Sequence, residues 1–255
     1  MKPKISVIII NYNTLELTRK CIESATKYIK NAEIILIDNG STDGSKLYFS
    51  KIKNIVYVYN KDNLGFSKAN NIGAKYATSD NLLFLNSDAE IKDDSFEKAL
   101  AFYIKNKPGI LSPRLLNTDN TIQASCFKNQ SLSNAFKEYL LKQKYSFSKY
   151  YPTGNNPEIV ENVVGAVMLI SKTIFKKING WSENYFMYYE DLDLCRKVKK
   201  NNYEIVYFPD WTIYHHHGAS KSSNKNINLI KSSKIYHGRL KYYLITTILW
   251  LGQKI

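Results

Sequence analysis

Leu82 to Ile91 reads LLFLNSDAEI, and its reading decides the fold. Leu82, Leu83, Phe84 and Leu85 run without a polar break into Asn86-Ser87-Asp88. A strand with one wet face alternates apolar and polar residues, whereas a strand covered on both faces does not. The run therefore predicts a strand of a parallel sheet flanked by helices, where ligands bind outside the carboxyl ends. Asp88 is carried to that edge, although a polar turn after a buried strand would read the same way in isolation.

Working outward, Ile5 to Ile10 (ISVIII) and Glu33 to Ile37 (EIILI) repeat the pattern. The first ends in Asn11-Tyr12-Asn13-Thr14, with Thr14 as predicted N-cap of a helix carrying Leu17, Cys21, Ala25 and Tyr28 on one face. The second ends in Asp38-Asn39-Gly40-Ser41-Thr42-Asp43-Gly44-Ser45, dense in turn formers and carboxylates. A strand over Ile55 to Tyr59 and a helix opened by Asn63-Leu64-Gly65-Phe66 complete a β-α-β-α-β-α-β alternation, the signature of a mostly parallel sheet covered on both faces. Neither G-x-G-x-x-G nor G-x-x-x-x-G-K-[ST] occurs, so a dinucleotide fold or P-loop is unsupported.

Further on, Asp94 to Asn106 reads as a helix and Ile110 to Leu116 as a strand broken at Pro113. Residues 117–157 lose periodicity and read as an insertion with some helix near Leu132 to Lys142. Val163 to Ser171 returns to a buried strand, its Gly165 implying a close approach. Asn179-Gly180 reads as a left-handed helix stop. An aromatic loop, Trp181 to Tyr189, then feeds Glu190-Asp191-Leu192-Asp193. Carboxylates in a first helical turn suit the macrodipole, so capping competes with chemistry there. Glu190 and Asp193, at i and i+3, share a face while Asp191 points elsewhere; a helix N-terminus is expected to keep Asp191 ionised. Tyr203 to Phe208 is a strand, followed by His215-His216-His217, either a solvated turn or metal ligands.

The 255 residues carry a net charge of +14 with 44% apolar and 13% aromatic content, which fits an ordered globular chain and not a disordered one. The lysines are dispersed and no nucleic-acid motif accompanies them, so a nucleic-acid partner is excluded in favour of phosphorylated substrates or an anionic membrane surface. Cys21, Cys126 and Cys195 form no C-x-x-C, which predicts neither a zinc site nor a disulfide framework and points to a reducing compartment. No run reads as a signal peptide or membrane span, so a cytoplasmic location is expected.

Seven segments in order resemble the inverting family 2 glycosyltransferases, in particular bacterial rhamnosyltransferase-like enzymes of surface polysaccharide synthesis. They are SVIIINYN (Ser6 to Asn13), LIDNGSTDGS (Leu36 to Ser45), NLGFSKANNIG (Asn63 to Gly73), LNSDAEI (Leu85 to Ile91), GAVMLISK (Gly165 to Lys172), YFMYYEDLDLC (Tyr185 to Cys195) and HHHGAS (His215 to Ser220). The resemblance implies a GT-A fold, a single Rossmann-like α/β domain over 1–225, with a nucleotide-binding half to about 115 and an acceptor-binding half beyond it. It implies a nucleoside-diphosphate sugar donor, dTDP-rhamnose first and a UDP-hexose next, and a glycan or polyprenyl-linked acceptor. Asn11, Asn13, Asp38, Asn63, Gly65, Asn70 and Asn86 are implied to surround the nucleotide, with Asp38 accepting from the base. Asp88, in the D-x-D position, and His215 are implied to bind Mn²⁺ or Mg²⁺, and Asp191 to act as general base. Asn86 replaces the first carboxylate of that position, Ser182 stands where the family often has Asp, and Arg196 with Lys197 shifts the usual arginine.

Two other readings compete. A nucleotidyltransferase would need a glycine-rich loop after the first strand, and Asn11-Tyr12-Asn13 is not one. A noncatalytic sugar-binding relative would be favoured by loss of Asp88 or Asp191, and both are present. Residues 226–255 read as a helical extension; its basic and apolar residues, with Tyr242, Tyr243, Ile245, Ile248, Leu249 and Trp250 as inserting candidates, suggest either core packing or peripheral attachment to the inner face of the cell membrane.

Overall fold

The computed structural model describes residues 4–216 and 225–254. Among the described residues, nine strands form one mixed sheet. Strands β1 (Ile5–Asn11), β2 (Ala32–Asp38), β3 (Val56–Tyr59) and β4 (Asn81–Asn86) are parallel, in the order β3-β2-β1-β4. The residues expected to be buried on both sides are so: Val7, Ile9, Leu83 and Leu85 enter one core, Ile8, Leu82 and Phe84 the other. Helices α1 (Leu15–Tyr28), α2 (Ser45–Phe49) and α3 (Phe66–Tyr76) supply the crossovers. Gly73 of α3 lets the helix lie on β1, since a Cβ there would stand 2.4 Å from Ile8 Cγ2. Thr14 does not cap α1 with its side chain; Asp43 accepts from Leu15 N instead (2.9 Å), tying the first two edge loops together.

After the short β5 (Ala89–Glu90) and α4 (Ser95–Asn106), β6 (Ile110–Leu116) runs through Pro113 without the expected break. The missing N–H is absorbed by the neighbouring strand, whose register shifts between Phe208 and Thr212, beside Pro113. The insertion contributes β7 (Cys126–Phe127) and α5 (Leu132–Tyr139), and β8 (Glu158–Ile159) follows directly after it. The predicted strand over Val163 to Ser171 is two: β9 (Asn162–Val163) pairs with β7, while β10 (Val167–Ser171) sits antiparallel to β4 and β6. Helix α6 (Lys172–Lys177) ends with Asn179 and Gly180 both left-handed, and Gly180 N donates to Phe175 O (2.9 Å).

Helix α7 (Glu190–Lys200) follows the aromatic loop. The expected strand over Tyr203 to Phe208 is the first half of the 11-residue β11 (Ile205–His215), which passes the shift near Pro113 and ends antiparallel to β5, with His215 opposite Ala89. The chain continues in α8 (Lys225–His237) and α9 (Arg239–Gly252). Ile245 of α9 is buried against Ala135 and Phe147, and Ile248 and Leu249 pack on the same cluster. These three of the candidate inserting residues therefore face the protein. The outward stripe is Leu240, Tyr243, Leu244, Trp250 and Leu251, residues at helical spacing on one side of α9.

Candidate active site

The edge loops after β1 and β2 and the turn before α3 form one hydrogen-bonded web. Asn11 and Asp38 are register partners at the ends of their strands, and both are fully buried. Asn11 Nδ2 donates to Ser41 Oγ (3.0 Å), and its Oδ1 accepts from Thr14 (3.0 Å) and Thr18 (2.8 Å). Asp38 accepts from Ser41 N (2.9 Å) and Tyr57 Oη (2.8 Å). Asn13, left-handed at φ 53°, accepts from Thr42 N (2.7 Å). Asn39 joins this web to the next turn: it donates to Asn63 Oδ1 (2.8 Å) and accepts from Asn60 (3.0 Å) and Leu64 N (3.1 Å). Nothing in its spacing distinguishes Asn39 from its neighbours in a loop full of turn formers. Asn70 is not part of the web; it is buried and donates to Phe66 O within its own helix (3.0 Å).

Gly65 is required twice over. Its φ is +82°, and a Cβ would lie 2.6 Å from Phe186 O. Phe66 N donates to that same carbonyl (2.8 Å), so the aromatic loop is fastened across the sheet edge to the turn before α3.

Asp88 and His215 meet at the end of β4. His215 Nε2 lies 3.2 Å from Asp88 Oδ1 and 3.4 Å from Asn86 Nδ2. Pairing of β11 with β5 brings them together, and His216 N donates to Asp88 O (2.9 Å). Gln123, which no sequence pattern singles out, orients the ring. Its Nε2 is given to Asn117 Oδ1 (2.9 Å) and the His215 carbonyl (3.4 Å), so its Oε1 accepts from His215 Nδ1 (2.8 Å). Nε2 then faces the carboxylate, and a proton or a cation held between them satisfies both groups. The 3.2 Å gap matches the edge of about 3 Å between neighbouring ligands of an octahedral divalent ion. His216 turns instead to Glu90 (3.3 Å), and His217 lies outside the described residues. Among the described residues, no group of three or more His, Cys, Asp or Glu is placed to hold a metal ion. Burial pushes the Asp88 carboxyl up, but the hydrogen bond and charge of His215 outweigh it and hold it below the usual range.

Asp191 stands on the same edge. Asn86 N donates to Ala166 O (2.9 Å), and the adjacent Gly165 N donates to Asp191 Oδ2 (3.1 Å). The close approach implied at Gly165 is to this carboxylate, since a Cβ there would sit 3.2 Å from Asp191 Cβ. Asp193 braces the helix by accepting from Ser182 and Arg196, so Ser182 replaces a family carboxylate with a donor to one. The expected lowering of the Asp191 pKa is reversed: burial raises it more than Leu192 N, Gly165 N and Lys149 lower it. Glu190 is raised well above its usual value by burial and by Asp191, and its Oε2 has no hydrogen-bond partner.

The turn carrying these carboxylates is strained. Tyr188 and Tyr189 both have positive φ, 72° and 66°, at a cost of about 1–3 kcal/mol each. The C-terminal helices hold it: Ser232 Oγ donates to Met187 O (2.8 Å), and the Tyr189 ring packs on Tyr236 and His237 at 5.3 and 5.5 Å.

A mixed sheet with this order, covered on both faces and with its polar loops on one edge, is the GT-A arrangement. It superposes on the crystal structure of GalNAc-T7 with UDP, GalNAc and Mn²⁺ (TM-score 0.67, 16% identity, 92% of this chain and 47% of that one) and on that of S. aureus TarS (0.62, 19%, 98% and 42%). The chain belongs to glycosyl transferase family 2, whose description matches residues 6–178; a second match, to the N-terminal domain of galactosyltransferase, spans residues 148–219. It is similar to the low-salt glycan biosynthesis hexosyltransferase Agl10 of Haloferax volcanii (27% identity, 80% of this chain and 64% of that protein). It is also similar to rhamnosyltransferase WbbL of Escherichia coli (26%, 82% and 82%) and to the N-acetylglucosaminyl-diphospho-decaprenol L-rhamnosyltransferase of Mycobacterium tuberculosis (25%, 73% and 67%). The chain thus spans about two thirds of the Haloferax protein and under half of GalNAc-T7.

Proposed function

We propose that the chain transfers a sugar from a nucleoside-diphosphate donor, dTDP-rhamnose or a UDP-hexose, to a hydroxyl of a glycan or lipid-linked saccharide, with inversion. The observation carrying this is the convergence of Asp88 and His215 (3.2 Å) on the edge that also bears Asp191. Asp88 and His215 would hold Mn²⁺ or Mg²⁺, which when bound supplies charge to offset the departing diphosphate. Asn86 contributes an amide instead of a second negative charge. Asn11, Asn13, Asp38, Asn63 and Gly65 shape the nucleotide wall, much of it by holding one another, and Asn70 keeps the start of α3 in place behind it. Asp191 takes the acceptor proton as attack proceeds; a raised carboxylate pKa makes it the stronger base. A nucleotide-sugar panel with Mn²⁺ or Mg²⁺, scored by nucleoside-diphosphate release with and without acceptor, tests the reading. Binding without release under every donor and acceptor would replace it with a noncatalytic binder.

No helix among the described residues is long and apolar enough to cross a membrane. The outward stripe of α9, beside Arg239, Lys241 and Lys254 in a chain of net charge +14, suits the surface of an anionic bilayer. Flotation with anionic liposomes should be lost in Leu240→Ser/Leu244→Ser. Truncation is the poorer test, because α8 and α9 brace the Tyr189 turn.

A further inference from the structure

Between the start of α5, the outer side of α7 and the junction of α8 with α9 lies a cleft of about 400 Å³. Ser131, Ser133, Arg196, Tyr236, His237 and Lys241 line it, and no carboxylate does. Ser131 caps α5 by accepting from Asn134 N (3.2 Å) and bonds to Ser133 Oγ (2.9 Å), which leaves the Leu132 and Ser133 N–H groups without intrahelical partners. Arg196 lies over the Tyr236 ring (4.4 Å) and donates to Tyr236 O (3.2 Å) and Asp193. Lys241 has no ion pair among the described residues. His237 Nε2 is buried without a hydrogen-bond partner, and burial together with the charges of Arg196 and Lys241 lowers its pKa to about 4. Donors thus converge on a space that no carboxylate lines, with Lys241 as its uncompensated cation and Arg196 shared with Asp193.

The cleft's position gives the charge a purpose. Its Tyr236 and His237 wall packs on Tyr189, which directly precedes Glu190 and Asp191. On the other side Lys241 adjoins Leu240, 75% exposed at the head of the outward stripe of α9. We propose that this cleft binds the diphosphate of a lipid-linked acceptor, with its saccharide directed toward Asp191 and its hydrocarbon chain along Leu240 and Leu244. The assignment rests on the transferase reading above. The volume exceeds what one phosphate needs, and lysine, arginine, hydroxyls and helix N–H groups are the donors that diphosphate oxygens take.

The test uses the full chain in EDTA, so that the Asp88–His215 pair cannot capture a diphosphate through a metal. Citronellyl diphosphate and inorganic pyrophosphate are titrated calorimetrically. Lys241→Glu and Ser133→Glu should each weaken citronellyl diphosphate binding by about tenfold or more. UDP binding in Mn²⁺ should not change. Ser133→Glu puts a carboxylate in a first helical turn, where it favours the helix, so loss of binding with an unchanged melting temperature cannot be unfolding. Binding in both variants within twofold of the parent, or no binding by the parent, overturns the proposal. Equal affinity for pyrophosphate and citronellyl diphosphate would overturn the hydrocarbon path while supporting the diphosphate site. A chain that releases nucleoside diphosphate from its donor but binds no citronellyl diphosphate refutes the cleft alone; one that binds it but turns over no donor refutes the transferase reading alone.

Discussion

Asp88 and Asp191 occupy one edge of one sheet, and burial penalises the charge of each, yet they end on opposite sides of the usual carboxylate range. Asp88 faces an imidazole at 3.2 Å, whose hydrogen bond and charge more than offset burial. Asp191 has two backbone N–H groups and a more distant Lys149, which do not. Beside it, Glu190 adds a buried oxygen with no partner. The difference teaches that the partners, more than the depth, assign the task. A carboxylate kept ionised suits holding a cation, and one made more basic suits accepting a proton.

The comparison breaks most visibly at Asp191. Asp191→Asn keeps the shape but cannot take the proton, so transfer should fall by about 10²–10⁴-fold while donor affinity holds. Because the base must be ionised and its pKa is raised, the acid limb of kcat/KM at saturating metal should lie above the ordinary aspartate range, activity being lost as pH falls through it. An acid limb within or below that range would count against Asp191 as the base.

Removing either side of the other pair should act on binding instead. Asp88→Ala and His215→Ala are expected to weaken metal-supported donor binding by about 10²-fold or more, exceeding the usual effect of a residue that only orients a ligand. Unchanged metal titrations in both would dissolve the contrast between the centres. If His216→Ala carries the effect instead, Glu90 and not Asp88 anchors the cation.

Gln123→Ala sharpens the same point at smaller size. It leaves Asp88 and His215 in place but removes the acceptor on Nδ1, and should cost about tenfold in metal affinity. Gln123→Glu, which keeps that acceptor, should recover much of it. Equal losses in both variants would mean that Gln123 acts through packing.

What could be read from the chain divides along physical lines. Ile5 to Ile10 and Leu82 to Leu85 are legible because burial on both faces removes alternation, and Asn179-Gly180 because left-handed backbone selects those residues. Gly165 was legible as a close approach, though not what approaches it. The reach of β11 was not, since Pro209-Asp210 resembles a stop and only the shift opposite Pro113 lets the strand continue to His215. Gln123 lies in a stretch without periodicity, and its role depends on where β11 ends. The direction of the Asp191 shift is not legible, because a helix N-terminus is visible in sequence and desolvation is not. The two faces of α9 are apolar alike, so which packs on α5 is decided by tertiary contacts alone.

The smallest effect concerns Glu190. Its folded-state pKa is raised well above the unfolded value, so the folded chain binds its proton more tightly. The stability this contributes is fully present below the unfolded pKa and is lost as pH rises through the folded one. Glu190→Gln carries no charge to desolvate, so it should gain stability relative to the parent as pH rises and lose that advantage toward acid. Each unit of displacement is worth about 1.4 kcal/mol, and 1 kcal/mol moves Tm by about 2–4 °C in a domain of this size. Thermal melts of parent and variant from acid to mildly alkaline pH should therefore diverge by a few degrees at the alkaline end. Transfer by Glu190→Gln should stay within about tenfold of the parent, because the proton goes to Asp191. Melting curves that run parallel across the range would mean that Glu190 is ionised and solvated in the fold. A loss of transfer as deep as that of Asp191→Asn would move the base one residue back, to the carboxylate that the structure leaves unpartnered.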